Sequence, residues 1–122
     1  VRPSSLTAAC LLWAIDGGKE TDMIVHISLF YLKDKSDADK VAAALRRVPE
    51  QEKHIRTSFV GRNWFAPPAA PGVPDFADVA QVITFDNWED AKAYPDCPAH
   101  LTLRKETDAL IERVGAAEFE QV

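Results

Sequence analysis

The stretch that decides the fold is MIVHISLFYLK, residues Met23 to Lys33. β-branched and aromatic residues dominate it, which is typical of a β-strand. Because side chains alternate across a strand, its residues divide into two faces. One face carries His26, Ser28, Phe30 and Leu32, and the other carries Val25, Ile27, Leu29 and Tyr31. Histidine and serine make the first face the more polar one, and we expect helices to cover it.

The next segments indicate a helix, a strand and a strand, over residues 36–48, 55–60 and 78–85. Ser36 can cap the helix, with Asp39 in its first turn, and apolar residues then recur at helical spacing at Ala38, Val41, Leu45 and Val48. Gly61 is expected to end the second strand. The intervening sequence FAPPAAPGVPDF, residues 65–76, predicts a surface loop, because proline removes backbone donors and fixes φ.

The last third of the chain indicates a short helix, a longer helix and a strand, over residues 87–94, 98–113 and 116–122. Asp86 and Glu89 have the spacing of a capping box at the start of the short helix. Pro98 suits the first turn of the longer helix. Gly115 is expected to terminate that helix, because glycine tolerates the left-handed conformation that often follows a helix.

The order strand, helix, strand, strand, helix, strand predicts an α+β fold, the ferredoxin-like β-α-β-β-α-β sandwich. Apolar residues also occupy the sheet face opposite the helices, in the first strand and, in the third, at Ala80 and Val82. An apolar face of that extent marks an interface. We therefore predict a homodimer through the open sheet face, which makes a dimeric α/β barrel. The alternative is that the N-terminal segment covers this face within one chain.

The length and composition of the chain limit the classes of protein to which it can belong. The chain has 122 residues, 47% of them hydrophobic and 27% charged, which fits one globular domain. We divide it into an N-terminal arm, residues 1–22, and a domain, residues 23–122. The apolar run at residues 6–15 suggests a signal peptide, but it lacks a small-residue cleavage site, so we expect an arm that docks on the domain or on a partner.

The expected partners and location follow from charge, hydropathy and cysteine usage. A net charge of −5 without a basic stripe argues against nucleic-acid binding. No apolar run has the length needed to span a bilayer, so we predict no membrane partner. The two cysteines lack disulfide-scaffold or metal spacing, which favours a reducing compartment and a cytoplasmic location.

Several polar residues are expected to converge in the layer between sheet and helices. His26 and Gln81 lie on the helix-facing sides of their strands, Tyr94 ends the short helix, and His100 lies on the apolar stripe of the last helix. An apolar pocket with a few polar groups is typical of a small-molecule site. We predict His100, Tyr94 and His26 as catalytic residues. The predicted ligand-binding residues are Ser28, Phe30, Gln81 and Ile111. The alternative is that these are hydrogen-bonded core residues.

No cofactor or metal is expected at this pocket. The sequence has no phosphate-cradling glycine loop, no nucleophile elbow and no zinc-binding pair of histidines. The expected ligand is a small apolar or aromatic molecule. A further alternative is a reactive thiol at Cys97, because the pKa of a thiol can fall near a helix N-terminus.

Two motifs resemble those of the stress-responsive A/B barrel family. The strand Met23-Ile24-Val25-His26-Ile27, followed by Phe30 and Lys33, resembles the family's opening strand. Residues 85–89 lead into Ala93-Tyr94-Pro95-Asp96-Cys97-Pro98-Ala99-His100, which resembles the acidic short helix, tyrosine and His-Pro-x-His element of the family. The resemblance extends from residue 23 to the C-terminus. The sequence differs in having Cys97 for the first histidine, Gln81 for an apolar residue, and a longer proline-rich loop.

This resemblance implies a dimeric α+β barrel whose two sheets face each other. Most members have no assigned activity, several are known only as stress-induced proteins, and a plant member closes a linear polyketide by aldol condensation. By that analogy His100 takes the proton, Tyr94 holds the carbonyl oxygen and His26 assists binding. The expectation is therefore a family member of undefined activity that has a small-ligand pocket between sheet and helices. Its enzymatic form would be a cofactor-free proton-transfer enzyme, a cyclase or an isomerase acting on a carbonyl compound. The alternatives are a non-catalytic stress or ligand-binding protein, and a haem-degrading or quinone-forming monooxygenase.

Overall fold

A computed structural model describes residues 23–64 and 76–122, so the predicted arm and nearly all of the proline-rich loop lie outside the described residues. Within these described ranges, seven helices and strands follow one another: β1 Ile24–Leu32, α1 Ala38–Gln51, β2 Ile55–Arg62, β3 Val79–Phe85, α2 Trp88–Ala93, α3 Pro98–Thr107 and β4 Ile111–Glu120. Short 3-10 turns precede α1 and follow α2 and α3, at Lys35–Asp37, Tyr94–Asp96 and Asp108–Leu110. The division of the chain after residue 22 stays a prediction.

The four strands form one antiparallel sheet in the order β2-β3-β1-β4. β1 and β3 are central, and α1 packs against β2 and α3. This is the ferredoxin-like α+β arrangement, so the predicted fold class is confirmed. None of the helices within residues 23–64 and 76–122 is both long and apolar enough to cross a membrane.

The core lies between the sheet and the helices and follows the predicted faces. Its largest fully buried apolar side chains come from β1, α1 and β3: Ile24, Val41, Leu45, Val48, Val79, Ile83 and Phe85. Burying each such side chain stabilises the fold by about 1.5–3 kcal/mol. The alternation of β3 is complete, because every second residue from Val79 to Phe85 is buried. The predicted inner faces of β1 and β3 are therefore correct.

The opposite sheet face presents apolar side chains. On this face Val25 of β1 pairs with Phe119, and Ile27 pairs with Val82 and Ala117. Leu29 lies between Ala80 and Gly115, and the Arg113 guanidinium lies over the ring of Tyr31. Phe59 of β2 lies opposite Val82. Leu29, Phe59 and Phe119 are 38%, 60% and 55% exposed in the single chain. The second sheet face is thus apolar, as the sequence pattern predicted.

The predicted caps of α1 and α2 are each displaced along the chain. Asp34, and not Ser36, provides the first cap: its Oδ1 accepts from the Ser36 amide at 3.0 Å and opens a 3-10 turn ahead of α1. Asn87, and not Asp86, caps α2 by accepting from the Asp90 amide at 2.9 Å. Asp86 instead accepts from the Arg56 guanidinium at 3.1 Å. The spacing of a capping box therefore does not identify the N-cap residue when the next residue along the chain can also accept a hydrogen bond from the first turn of the helix.

The last helix is shorter than predicted, and the last strand is longer. α3 ends at Thr107, whose Oγ1 donates to the Leu103 carbonyl at 2.8 Å, and β4 begins at Ile111. From there β4 pairs with β1 over nearly its whole length. Without β4, β1 would be an unpaired sheet edge, so pairing satisfies backbone groups on both strands. Gly115 therefore lies inside β4, and Gly61 likewise lies inside β2.

Asp78 joins the end of β1 to the start of β3. This buried residue lies just before β3, and its Oδ2 accepts from the Leu32 amide at 2.9 Å. Its own amide donates to the Phe30 carbonyl at 2.8 Å. The ammonium of Lys35 approaches Oδ1 at 3.0 Å from the solvent side. These bonds fix the end of β1 from which the chain turns into α1.

Candidate functional site

A cavity of about 350 Å³ opens between the sheet and α3. Its lining comes from β1, β3, β4, the turn after α2, and α3. All seven residues that the sequence singled out line it: His26, Ser28, Phe30, Gln81, Tyr94, His100 and Ile111. Their roles stay predictions, but their convergence is a feature of the fold.

His100 lies in the first turn of α3 as a neutral base. Pro98 begins the helix, and Cys97 Sγ accepts from the His100 amide at 3.4 Å. His100 Nδ1 lies 2.9 Å from the Pro95 carbonyl oxygen. Because a carbonyl only accepts, Nδ1 carries the proton, and Nε2 keeps its lone pair in the neutral ring. Burial lowers the pKa of His100 below its usual 6.5, so the neutral form prevails at pH 7.

Tyr94 is a buried hydrogen-bond donor without an acceptor. It is 3% exposed, and its ring centroid lies 4.8 Å from that of His100 and 5.7 Å from that of His26. Its hydroxyl has no hydrogen-bond partner among the described residues. Burial raises the pKa of Tyr94 to about 12, and the nearby Gln81 amide offsets this only in part, without forming a well-aligned hydrogen bond to it. The hydroxyl therefore stays protonated and available to donate.

Gln81 supplies a second donor of the same kind. It is 1% exposed in the centre of β3, directly opposite Ser28 of β1. Its Nε2 likewise lacks a partner within the described part of the chain. Buried polar groups are nearly always hydrogen-bonded, and an unpaired one costs about 1–3 kcal/mol. Two such donors lining one cavity are suited to an acceptor ligand, such as a carbonyl or carboxylate oxygen.

His26 is held between two polar side chains. Its Nδ1 lies 3.0 Å from Glu118 Oε2, and its Nε2 lies 2.8 Å from Ser28 Oγ. A carboxylate only accepts, so Nδ1 carries a proton, and in the corresponding neutral tautomer Nε2 accepts from the Ser28 hydroxyl. Glu118 reaches this position because β4 pairs it directly with His26. Both nitrogens of this ring are thus engaged.

The remaining walls are apolar on the inside and charged at the rim. Phe30, Leu103, Ile111 and Val114 form the apolar part of the lining. Arg104 Nε donates to both oxygens of Asp108 at 3.0 Å, and both side chains are largely exposed. An apolar interior with few polar groups is typical of small-molecule sites.

Sequence reasoning missed some of the lining and misplaced one residue. Ile111 lines the cavity from β4, and not from the last helix as predicted. Glu118 was missed because its contact with His26 depends on the register between β1 and β4. The ion pair between Arg104 and Asp108 could have been predicted from the sequence, because residues four apart are neighbours on a helix.

The surroundings of Cys97 do not favour the alternative of a reactive thiol. Burial raises the pKa of this thiol above its usual value, and the hydrogen bond from the His100 amide offsets this only in part. The sulfur caps α3 as an acceptor. Within the described ranges, no group of three His, Cys, Asp or Glu side chains could hold a metal ion.

Several known proteins share this fold. A dimeric ferredoxin-like protein of unknown function from Bacteroides fragilis is 27% identical, with a TM-score of 0.64 over 81% of this chain and 96% of that one. The hydroxynitrile lyase from Passiflora edulis is 17% identical, with a TM-score of 0.65 over 84% of this chain and 95% of that one. A cofactor-independent oxygenase from Streptomyces nogalater is 10% identical, with a TM-score of 0.61 over 83% and 94%.

The two enzymes are too distant in sequence for the likeness to extend beyond the fold. No protein of curated function matches the chain. The family model described as Stress responsive A/B Barrel Domain matches residues 24–121, which is most of the chain and includes every element from β1 to β4. The sequence motifs, the ferredoxin-like sheet and this match agree, and the chain belongs to the stress responsive A/B barrel domain family.

Proposed function

We propose that the cavity binds a small apolar or aromatic carbonyl compound and that the protein is a cofactor-free proton-transfer enzyme, a cyclase or an isomerase. The observation that carries the proposal is a pair of buried donors, Tyr94 Oη and Gln81 Nε2, that have no acceptor among residues 23–64 and 76–122. The neutral His100 ring packs against Tyr94, with ring centroids 4.8 Å apart. A carbonyl oxygen satisfies both donors and brings its neighbouring carbon towards the base.

In the proposed reaction, His100 Nε2 removes a proton from the carbon next to the carbonyl group. Negative charge then develops on the carbonyl oxygen, where Tyr94 and Gln81 donate hydrogen bonds to it. One such donor is worth about 2.7–4 kcal/mol in other enzymes, and a positioned base contributes about 10²–10⁴-fold. The enolate reacts within the cavity or recovers the proton at another carbon. His26 assists by packing against Tyr94, with the two ring centroids 5.7 Å apart.

The fold of the relatives is consistent with catalysis but does not identify a reaction. Among the proteins of this fold are a hydroxynitrile lyase and an oxygenase described as cofactor-independent. Both activities belong to those proteins. For this chain the argument depends on its own cavity, where an acid of raised pKa and a base of lowered pKa lie side by side.

We further propose that two copies of the chain pair through the open sheet face. The Bacteroides fragilis relative of this fold is dimeric. Pairing would remove the apolar side chains of β1, β2 and β4 from water, among them Leu29, Phe59 and Phe119. The cytoplasmic location inferred from cysteine usage and the link to stress stay predictions.

The test is exchange of solvent deuterium into small aryl ketones and β-keto acids, followed by NMR. We expect exchange next to the carbonyl group in the wild type and its loss in His100→Ala. His54→Ala is the matched control, because His54 is an exposed histidine paired with Glu52 outside the cavity. Binding is measured in parallel as ligand-induced thermal stabilisation.

Two outcomes would contradict the enzymatic proposal in different ways. Compounds that stabilise the wild type but show no exchange would identify a non-catalytic ligand-binding protein. If no compound binds, and His100→Ala only lowers the melting temperature, the polar residues are part of the core and the pocket has no ligand role.

A further inference from the structure

A chain of two hydrogen bonds runs from the surface of β4 to the cavity. Glu118 Oε2 accepts from His26 Nδ1 at 3.0 Å, and His26 Nε2 accepts from Ser28 Oγ at 2.8 Å. Ser28 is 4% exposed and lines the cavity. The proton-transfer reaction proposed above uses neither Ser28 nor Glu118, so this arrangement needs a separate explanation.

The order of these groups is that of an activated hydroxyl nucleophile. A base within hydrogen-bond reach of a hydroxyl, oriented by a third group, is the general signature of such a nucleophile. The carboxylate holds the proton on Nδ1, so Nε2 is the nitrogen that can take a proton from Ser28. Both distances lie within the range expected for working hydrogen bonds. Ser28 lies on β1 two residues after His26, so it is not part of a recognised sequence motif for a nucleophilic serine.

The donors that a nucleophilic serine requires lie in the same cavity. Gln81 is the direct cross-strand neighbour of Ser28, and such neighbours have Cβ atoms about 4.5–5.5 Å apart. Among the described residues, its Nε2 and the Tyr94 hydroxyl are the two buried side-chain donors without an acceptor. Donors of this kind stabilise the oxyanion formed when a nucleophile attacks an acyl carbon.

We propose that Ser28, His26 and Glu118 form a nucleophilic triad and that the cavity hydrolyses small carboxylic esters with an apolar acyl group. Ser28 Oγ attacks the ester carbonyl carbon while its proton moves to His26 Nε2, and the oxyanion accepts from Gln81 and Tyr94. When the intermediate collapses, the C–O bond to the alcohol breaks and His26 protonates the departing oxygen.

The acyl group is then bonded to Ser28 and is released by water. His26 Nε2 takes a proton from the water molecule, whose oxygen attacks the acyl carbon. Collapse breaks the bond to Oγ, returns the proton to Ser28 and frees the carboxylic acid. No oxidation or reduction occurs, and the apolar wall of Phe30, Leu103 and Val114 is suited to the acyl chain.

The experiment uses p-nitrophenyl butyrate and the full-length chain. We expect a burst of p-nitrophenolate, and a butyryl group that peptide mass spectrometry maps to Ser28 after an acid quench. Ser28→Ala should lose both the burst and the adduct. Ser58→Ala is the matched control, because Ser58 is an exposed serine on β2 and should leave both unchanged. Glu118→Gln should slow acylation by at least about 100-fold, because the amide no longer enforces the His26 tautomer.

A wild type without a burst, an adduct on another residue, or an unchanged burst in Ser28→Ala would overturn the proposal. The wild-type adduct is mapped directly, so the result stands even if Ser28→Ala fails to fold. This inference goes beyond the proton-transfer function, which is measured by deuterium exchange and His100→Ala. Either activity can fail in its own assay while the other is observed.

Discussion

At the scale of the residue, the same burial acts on Tyr94 and His100 with different consequences. Removing water disfavours the charged form of each, so the pKa of the phenol rises and the pKa of the imidazole falls. Tyr94 therefore remains a donor and His100 remains a base over the physiological pH range. Carbonyl chemistry needs one group of each kind, side by side and without a charge on either.

The lowered pKa of His100 predicts how stability depends on pH. Well above pH 6.5 the ring is neutral in both the folded and the unfolded chain, and it contributes no pH dependence. As the pH falls below 6.5, the unfolded chain takes up the proton first, so the free energy of unfolding decreases until the folded ring also protonates. Urea unfolding at pH 7.5 and pH 5 should show a smaller pH-dependent loss in His100→Gln than in the wild type. An equal loss in both proteins would contradict a lowered pKa.

A second prediction concerns the hydroxyl of Tyr94. Because it makes no hydrogen bond within the described residues, Tyr94→Phe removes an unsatisfied polar group and should leave the melting temperature unchanged or raise it. The same change should weaken the binding of a carbonyl ligand by about tenfold, which corresponds to the net value of one hydrogen bond, roughly 1.4 kcal/mol. Thermal melts and ligand titrations measure the two effects. A loss of more than about 1 kcal/mol in stability would indicate a structural bond instead.

At the scale of the element, pairing between β1 and β4 decides what lines the cavity. Val114, Ala116 and Glu118 share the inner face of β4, because they pair with Phe30, Ser28 and His26 of β1. Had α3 continued to residue 113, as its sequence pattern suggested, these contacts could not form. The early end of α3 is thus a condition for the site.

Asp78 provides a prediction at the same scale. Its carboxylate accepts from the Leu32 amide in a buried position, so Asp78→Ala leaves that amide without a partner. We expect a loss of about 1–3 kcal/mol in the free energy of unfolding, measured by urea titration. Lys35→Ala is the matched comparison, because it removes only the exposed end of the ion pair and should cost less than about 1 kcal/mol. Equal losses in the two variants would show that the amide bond contributes little.

At the scale of the whole molecule, the open sheet face predicts a change of oligomeric state on mutation. Leu29→Glu places a charge in the centre of that face, where burial of an unpaired charge is costly. We expect the wild type to sediment as a dimer and Leu29→Glu as a folded monomer in analytical ultracentrifugation. Leu101→Glu, at an exposed leucine of α3, should leave the dimer intact. A wild-type monomer, or a dimer that tolerates Leu29→Glu, would contradict pairing through this face.

The sequence by itself determined the element order, the inner faces of β1 and β3 and the apolar outer face of the sheet. These features are local, because strand and helix periodicity are properties of a few neighbouring residues. It also identified seven residues that converge on one cavity. Periodicity correctly assigned five of them, His26, Ser28, Phe30, Gln81 and His100, to inward faces, whereas Tyr94 lies in the turn after α2 and Ile111 lines the cavity from β4 and not from the predicted helix.

Only the tertiary structure decided where α3 ends, which residues cap α1 and α2, and that Glu118 bonds His26. The end of α3, the cap of α2 and the Glu118–His26 bond depend on bonds to a distant part of the chain, because β4 pairs with β1 and Asp86 bonds Arg56. The cap of α1 is a choice between two neighbouring side chains, Asp34 and Ser36. β1 offers β4 a complete row of backbone partners, and a helix of the same residues would forgo them. The register of that pairing brings Ser28, His26 and Glu118 together, and local periodicity has no information on register between distant strands.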